Sequence, residues 1–327
     1  MKSKKIIAFF VISIFIIAVA PLVIFAQEAI VLSGGTIGGN TNLEANALAS
    51  IGKLYCNLLP TVIITPTMAQ VDVLEANQAA IATTPGYLTY QAYYGEENWE
   101  GKPFKEIRSL LHRPSSLMQI AVLKESPIQE IRDLIGKKVA IGKKGFSAAF
   151  LGEKMFEVLG IDITPVYVGH ADSVAGLVSG KMDAYLATAN APSSAFIELS
   201  ETAREGIRII NISEEDMATI LEELPFFISD TVEPVYKGME EAATVPAYVG
   251  IMGCRAELPE EVAYCLTKAF WEHLDFAALQ WAAIGELKLE DVSSIKGVAP
   301  WHIGAYRYYK EVGLEIPSDM IPPEAIK

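Results

Sequence analysis

The stretch that decides the fold runs from Lys137 to Ala187, KKVAIGKKGFSAAFLGEKMFEVLGIDITPVYVGHADSVAGLVSGKMDAYLA. It opens on a strand, KKVAIG, and turns through the glycines of GKKG. A helix then runs from Ser147 to Leu159 and stops at Gly160. Strand ITPVYV, a helix from Asp172 to Ser179 stopped by Gly180, and strand DAYLA complete a βαβαβ unit. Glycine stops between alternating elements imply an α/β fold with mostly parallel strands, because each crossover returns the chain in the same direction.

A first set precedes it. Ala29 to Leu32 reads as a strand, and SGGTIGGNTN (Ser33–Asn42) packs Gly34, Gly35, Gly38 and Gly39 ahead of a helix. The apolar positions Leu43, Ala47, Leu48, Ile51, Leu54, Tyr55 and Leu58 share one face of that helix. TVIITPT and AAIATT (Ala79–Thr84) are further strands, and the stripe Tyr87, Tyr90, Tyr93, Tyr94 has helical spacing that reads as packing rather than a stacking site. LMQIAVLKE (Leu117–Glu125) is another strand, followed by a helix start with Ser126 as N-cap, Pro127 at N1 and Gln129 as capping-box partner. Further on, Ser213 caps a helix with Asp216 three residues later, AYVGIMGC is a strand, and Pro259 and Glu260 open a long helix. This order predicts two lobes with the C-terminal helices returning to the first. Lobe 1 takes residues 27–122 and 248–327, lobe 2 takes 123–247, and the hinges fall near Leu123 and Ala247.

The glycine loop excludes two common ligands. A GxGxxG spacing cannot be drawn through it, and Asn40 rather than lysine follows Gly39, so neither a dinucleotide fingerprint nor a P-loop is present. What remains is a strand-to-helix turn whose backbone N–H groups can meet a ligand, or a tight turn that holds nothing. In open α/β sheets ligands sit beyond the carboxyl ends of the strands. That rule gathers the loops 33–40, 65–68, 83–86 and 142–147 around one cleft.

The chain has 327 residues, 51% of them hydrophobic, and a formal net charge of −14. Lys2, Lys4 and Lys5 precede a run without charge from Ile6 to Gln27, with Ala26 near its end. This is a signal-peptide layout over residues 1–26, with an uncleaved anchor as the other reading, and it puts the folded part outside the cytoplasm. No cysteine near the end of this run offers a site for lipid. An acidic chain does not seek nucleic acid. Of three cysteines, Cys56, Cys254 and Cys265, at least one stays unpaired; they read as buried thiols, a Cys254–Cys265 bridge being the alternative. His112, His170, His273 and His302 have no metal-ligand spacing, no GxSxG elbow exists, and no cysteine has a neighbouring histidine. No catalytic residue, metal or cofactor is therefore expected.

The order of these segments resembles the TAXI-type solute receptors of tripartite ATP-independent periplasmic (TRAP) transporters, from about Ile30 to Gly313. The resemblance rests on GGTIGGN, LIGKKVAIGKKG, GHADSVAGLVSGKMDAYLATANAP, LEELPFFISDTVEPVYKG and HIGAYRYYKEVG. It implies a type II periplasmic-binding-protein fold, two α/β lobes closing around a small organic solute that is delivered to TRAP-type membrane permease subunits. The ligand-binding residues it implies are Gly35, Thr36, Gly38, Gly39, Asn40, Thr67, Thr84, Gly145, Phe146, Ser147, Asn190 and Tyr236. The family's usual G-x-x-G-S-G-T-E reads GKKGFSAA here, with Phe146, Ala148 and Ala149 in place of Ser, Thr and Glu. With fewer donors and a phenylalanine, the expected solute is a monocarboxylate or partly apolar acid held by backbone N–H groups. Two further readings stand: a sensing module that reports occupancy to a membrane protein, and an enzyme on the same fold.

Overall fold

The computed structural model describes residues 27–35, 37 and 40–326. The expected signal peptide and the loop residues Thr36, Gly38 and Gly39 lie outside the described residues. The order is β1 (Glu28–Gly34), α1 (Asn40–Tyr55), β2 (Leu58–Ile64), α2 (Gln70–Glu75), β3 (Ile81–Pro85), α3 (Gly86–Tyr94) and β4 (Ile107–Leu123). Next come β5 (Lys138–Ala140), α4 (Ser147–Val158), β6 (Thr164–Val166), α5 (His170–Val178), β7 (Ala184–Ala189), α6 (Ser194–Thr202), β8 (Ile207–Ile209), α7 (Glu214–Glu223) and β9 (Phe227–Val232). The chain closes with β10 (Ala243–Arg255), α8 (Glu260–Glu272), α9 (Leu274–Ala278) and α10 (Ile303–Glu311).

Two long strands tie everything together. The sheet runs β2-β1-β3-β10-β4-β7-β5-β6, with β8 added to β4 and β9 to β10. The β1/β2, β1/β3, β5/β6 and β5/β7 pairs are parallel, as βαβ crossovers require, whereas β4 and β10 run antiparallel to each other and to every other neighbour. Residues 107–113 of β4 pair with residues 250–255 of β10 in the first lobe, and residues 117–123 pair with β7 and β8 in the second. The first crossing therefore falls near Pro114, several residues before the boundary expected at 122/123. Polar side chains hide it from a hydropathy reading: Arg108, Ser109, His112 and Arg113 are all buried in the strand's first half. The return crossing lies at a register shift between Tyr248 and Gly250. A Cβ on Gly250 would come within 2.9 Å of the Arg113 guanidinium carbon, so the glycine makes room for that side chain.

Local signals met mixed outcomes. Gly160 and Gly180, at φ +63° and +71°, terminate α4 and α5 as the sequence implies. Ser213 Oγ accepts the Asp216 N–H at 3.1 Å to cap α7. The helix expected after Ser126 is only a 3-10 turn, Ile131–Leu134, capped instead by Glu130 and Asp133. Gly136, at φ +73°, follows too soon for a longer helix. The tyrosine stripe packs: Tyr87 is fully buried, its ring 5.9 Å from Phe150 and 5.3 Å from Tyr248.

One apolar cluster draws Val71, Leu74 and Leu88 of the first lobe together with Leu151, Met155 and Phe156 of the second. Another lies wholly in the first lobe, where Leu266, Phe270, Trp301 and Tyr309 return to cover Leu32 and Leu48. The cysteines depart from expectation. Cys56 and Cys265 form a disulfide that pins the end of α1 to α8, and Cys254 is the free, buried thiol. Residues distant by 209 positions meet because the C-terminal helices pack back on α1, a contact that sequence spacing does not reveal. Among the described residues no helix is long and apolar enough to cross a membrane.

Candidate functional site

Where β4 and β10 cross, the lobes leave a cleft of about 1070 Å³ between them. Its walls come from the start of α1, the turn after β2, the middle of β4, the start of α4, the loop from β7 to α6, β9, and the segment 281–295. Clefts of this size between lobes are common sites for small molecules.

A buried ion pair lies in the lining. Arg113 on β4 donates Nη1 to Glu44 Oε2 on α1, Nη2 to Thr84 O at 2.9 Å, and Nε to Ile251 O at 3.1 Å. The side chains are 8% and 2% exposed, so the charges are stabilised by one another and by two carbonyls rather than by water. Burial holds the Glu44 carboxyl above the usual carboxylate range, against the opposing pull of Arg113. On the same strand His112 is 3% exposed with its Nε2 unpartnered, and burial lowers its pKa to about 4, so the ring is neutral.

Contacts cross from lobe to lobe around this space. Asn40 Nδ2 donates to Asn190 Oδ1 at 3.4 Å, and Asn190 Nδ2 donates to Ser115 O at 2.8 Å. The Tyr87 hydroxyl donates to Ser147 Oγ at 2.9 Å, and burial raises its pKa. Lys154 on α4 pairs with Glu97 at 2.8 Å.

Of the residues that the sequence nominates, Asn40, Thr67, Ser147 and Asn190 line the cleft. Thr84 lies behind the lining, its hydroxyl donating to Ile251 O and its carbonyl receiving Arg113. Tyr236 is buried, donating to Gln119 Oε1 at 2.9 Å and accepting the Ser193 N–H at 3.0 Å, so it braces the β7–α6 loop from behind. Gly35 is buried, and a Cβ there would fall 2.1 Å from Thr41 Oγ1, which makes it a packing glycine. Gly145 is not in the lining, and Phe146 is 62% exposed and outside it too. The apolar face expected of Phe146 is thus turned to solvent, because it stands at the N-cap of α4 rather than within the cleft. Thr36, Gly38 and Gly39 lie outside the described residues.

Sequence reasoning missed Glu44, Arg113, Asp230, Trp281, Glu286 and Asp291, all of which line the cleft. One signal was available for Glu44: it shares the helical face of Leu48 and Ile51, where a carboxylate needs a partner. Among the described residues no group of three or more histidine, cysteine or acidic side chains is placed to hold a metal.

Residues 61–313 match the sequence model of the NMT1-like family. The chain belongs to the NMT1-like family. Several solved structures resemble this NMT1-like chain. A TctC solute-binding protein from Polaromonas is 13% identical over 80% of this chain and 89% of that one, with a TM-score of 0.53. A protein from Xanthomonas citri, solved bound to ATP, is 11% identical over 88% and 96%, with a TM-score of 0.50. The periplasmic aliphatic sulphonate binding protein of Escherichia coli is 16% identical over 80% of each chain, with a TM-score of 0.45. At such identities the likeness is one of architecture: the NMT1-like chain has the α/β periplasmic-binding-protein fold of type II.

Proposed function

We propose that this NMT1-like chain is an extracytoplasmic solute receptor of the TAXI type, which captures a small organic solute between its lobes and hands it to the permease subunits of a TRAP-type transporter. The carrying observation is the cleft itself, about 1070 Å³ of space bounded by both lobes, which are joined through two crossing strands. Only a rotation at those strands is needed to admit or release a solute. Asn40, Thr67, Ser147 and Asn190 are the binding residues carried forward from the sequence. The helix start at Ser147, with its free backbone N–H groups, can hold a carbonyl or another hydrogen-bond acceptor of the solute.

Mass spectrometry of the molecule that copurifies with the exported protein tests this reading. A bound metabolite in stoichiometric amount is expected, and its return to the stripped protein should raise the melting temperature and reduce the radius of gyration. A protein that copurifies empty, and that no metabolite mixture stabilises, would not be a receptor.

A further inference from the structure

The formal charges in the cleft lean strongly one way. Its lining carries the acids Glu44, Asp230, Glu286 and Asp291, and Arg113 is its one basic residue apart from the neutral imidazole of His112. Arg113 is engaged by Glu44 and two carbonyls, with 8% of its side chain exposed, and has little left to offer a ligand. Whichever proton state Glu44 holds, the lining stays net negative. Among the described residues Asp230, Glu286 and Asp291 form no salt bridge, so their charges are not offset by a basic side chain.

One further observation points to the same class of ligand. Trp281, half-buried, adds an aromatic side chain to the lining, and aromatic faces attract cations. A second carboxylate brought into this space would meet uncompensated acids, whereas an ammonium group would relieve them.

We infer that the cleft takes an organic cation, an amine or quaternary ammonium compound, with its charge held near Glu286, Asp291 and Asp230. This inference rests on the receptor reading above and names the charge class of the solute. An anion is selected against by the same three side chains, whatever the helix start at Ser147 offers it.

The test is calorimetry and thermal shift on the stripped, full-length protein with choline, putrescine and agmatine, set against acetate, glutarate and glutamate. At least one of the amines is expected to bind about tenfold or more tightly than every acid. The change Glu286→Gln with Asp291→Asn should weaken that amine by about tenfold or more, while Glu201→Gln on the outer surface leaves it unchanged. Both cleft positions are exposed, and melting of the unliganded variant checks that it folds. An acid that outbinds all three amines, or an amine affinity indifferent to the double substitution, overturns the cation assignment and leaves the receptor reading standing. Failure of all three amines at millimolar concentration overturns it as well, and a copurifying acid or neutral solute in that case would still preserve the receptor. Absence of binding by any small molecule removes both.

Discussion

Tyr87 on α3 donates its hydroxyl to Ser147 Oγ at the start of α4, 2.9 Å away, so that the two lobes are hydrogen-bonded beside the cleft. The ring is held independently of the hydroxyl by Phe150, Phe226 and Tyr248. Tyr87→Phe should therefore keep the packing and lose about 1 kcal/mol of stability in a urea titration. An unchanged midpoint would mean that the bond contributes nothing net.

Removing Arg113 alone should cost more than removing the whole ion pair with Glu44. Arg113→Met leaves a buried carboxyl with no counter-charge, and a cost of about 3–5 kcal/mol is expected. The cost should shrink as the pH falls, because burial already favours the protonated form of Glu44 and protonation removes the unpaired charge. Adding Glu44→Leu to Arg113→Met should recover part of the loss. A double variant no more stable than Arg113→Met would show that packing, not charge, sets the cost.

His112 gives the protein an acid-sensitive stability. Its pKa falls from 6.5 to about 4 on burial, so between those values the unfolded chain binds a proton that the folded one does not. The stabilisation is complete above pH 6.5 and is lost as the pH drops towards 4, up to about 3 kcal/mol. His302 is shifted the same way by burial and adds to the trend. The melting temperature should fall over that window, and less steeply in His112→Gln. Parallel curves would exclude His112 as the source.

The disulfide and the free thiol should separate cleanly in the laboratory. Breaking the Cys56–Cys265 bond by a Cys56→Ser, Cys265→Ser pair is expected to cost about 2–5 kcal/mol, since it closes a long loop in the unfolded chain. Cys254 is fully buried, with its pKa raised by that burial, so a thiol reagent should find nothing in the native protein and one thiol after denaturation. Rapid native labelling would contradict the placement of Cys254.

Regular alternation and chain-reversing glycines made the second-lobe unit readable, because Gly160 and Gly180 stop helices by local backbone geometry alone. The cap at Ser213 was readable for the same reason. Pairing across the chain was not. Arg113 looks like a surface residue until β10 and α1 are laid beside it, and Cys56 meets Cys265 only once α8 has returned to α1. Phe146 misled in the opposite direction: one residue before Ser147, it faces away from the space that Ser147 lines. Glycine loops announce that a ligand could approach, whereas the sign of the charge around it depends on side chains from four distant segments.

The shared strands also govern how the protein can come apart. Because β4 and β10 each belong to both half-sheets, melting either lobe exposes the backbone edge of the other and opens the apolar cluster they hold in common. Neither half owns a complete sheet, so the chain should unfold in one cooperative calorimetric transition, and a fragment cut at Pro114 should fail to fold alone. On the ribosome, strands that finish near residue 85 must wait for β10, more than 150 residues later, before their sheet can close, and that delay should make refolding slow compared with a chain whose strands pair with near neighbours.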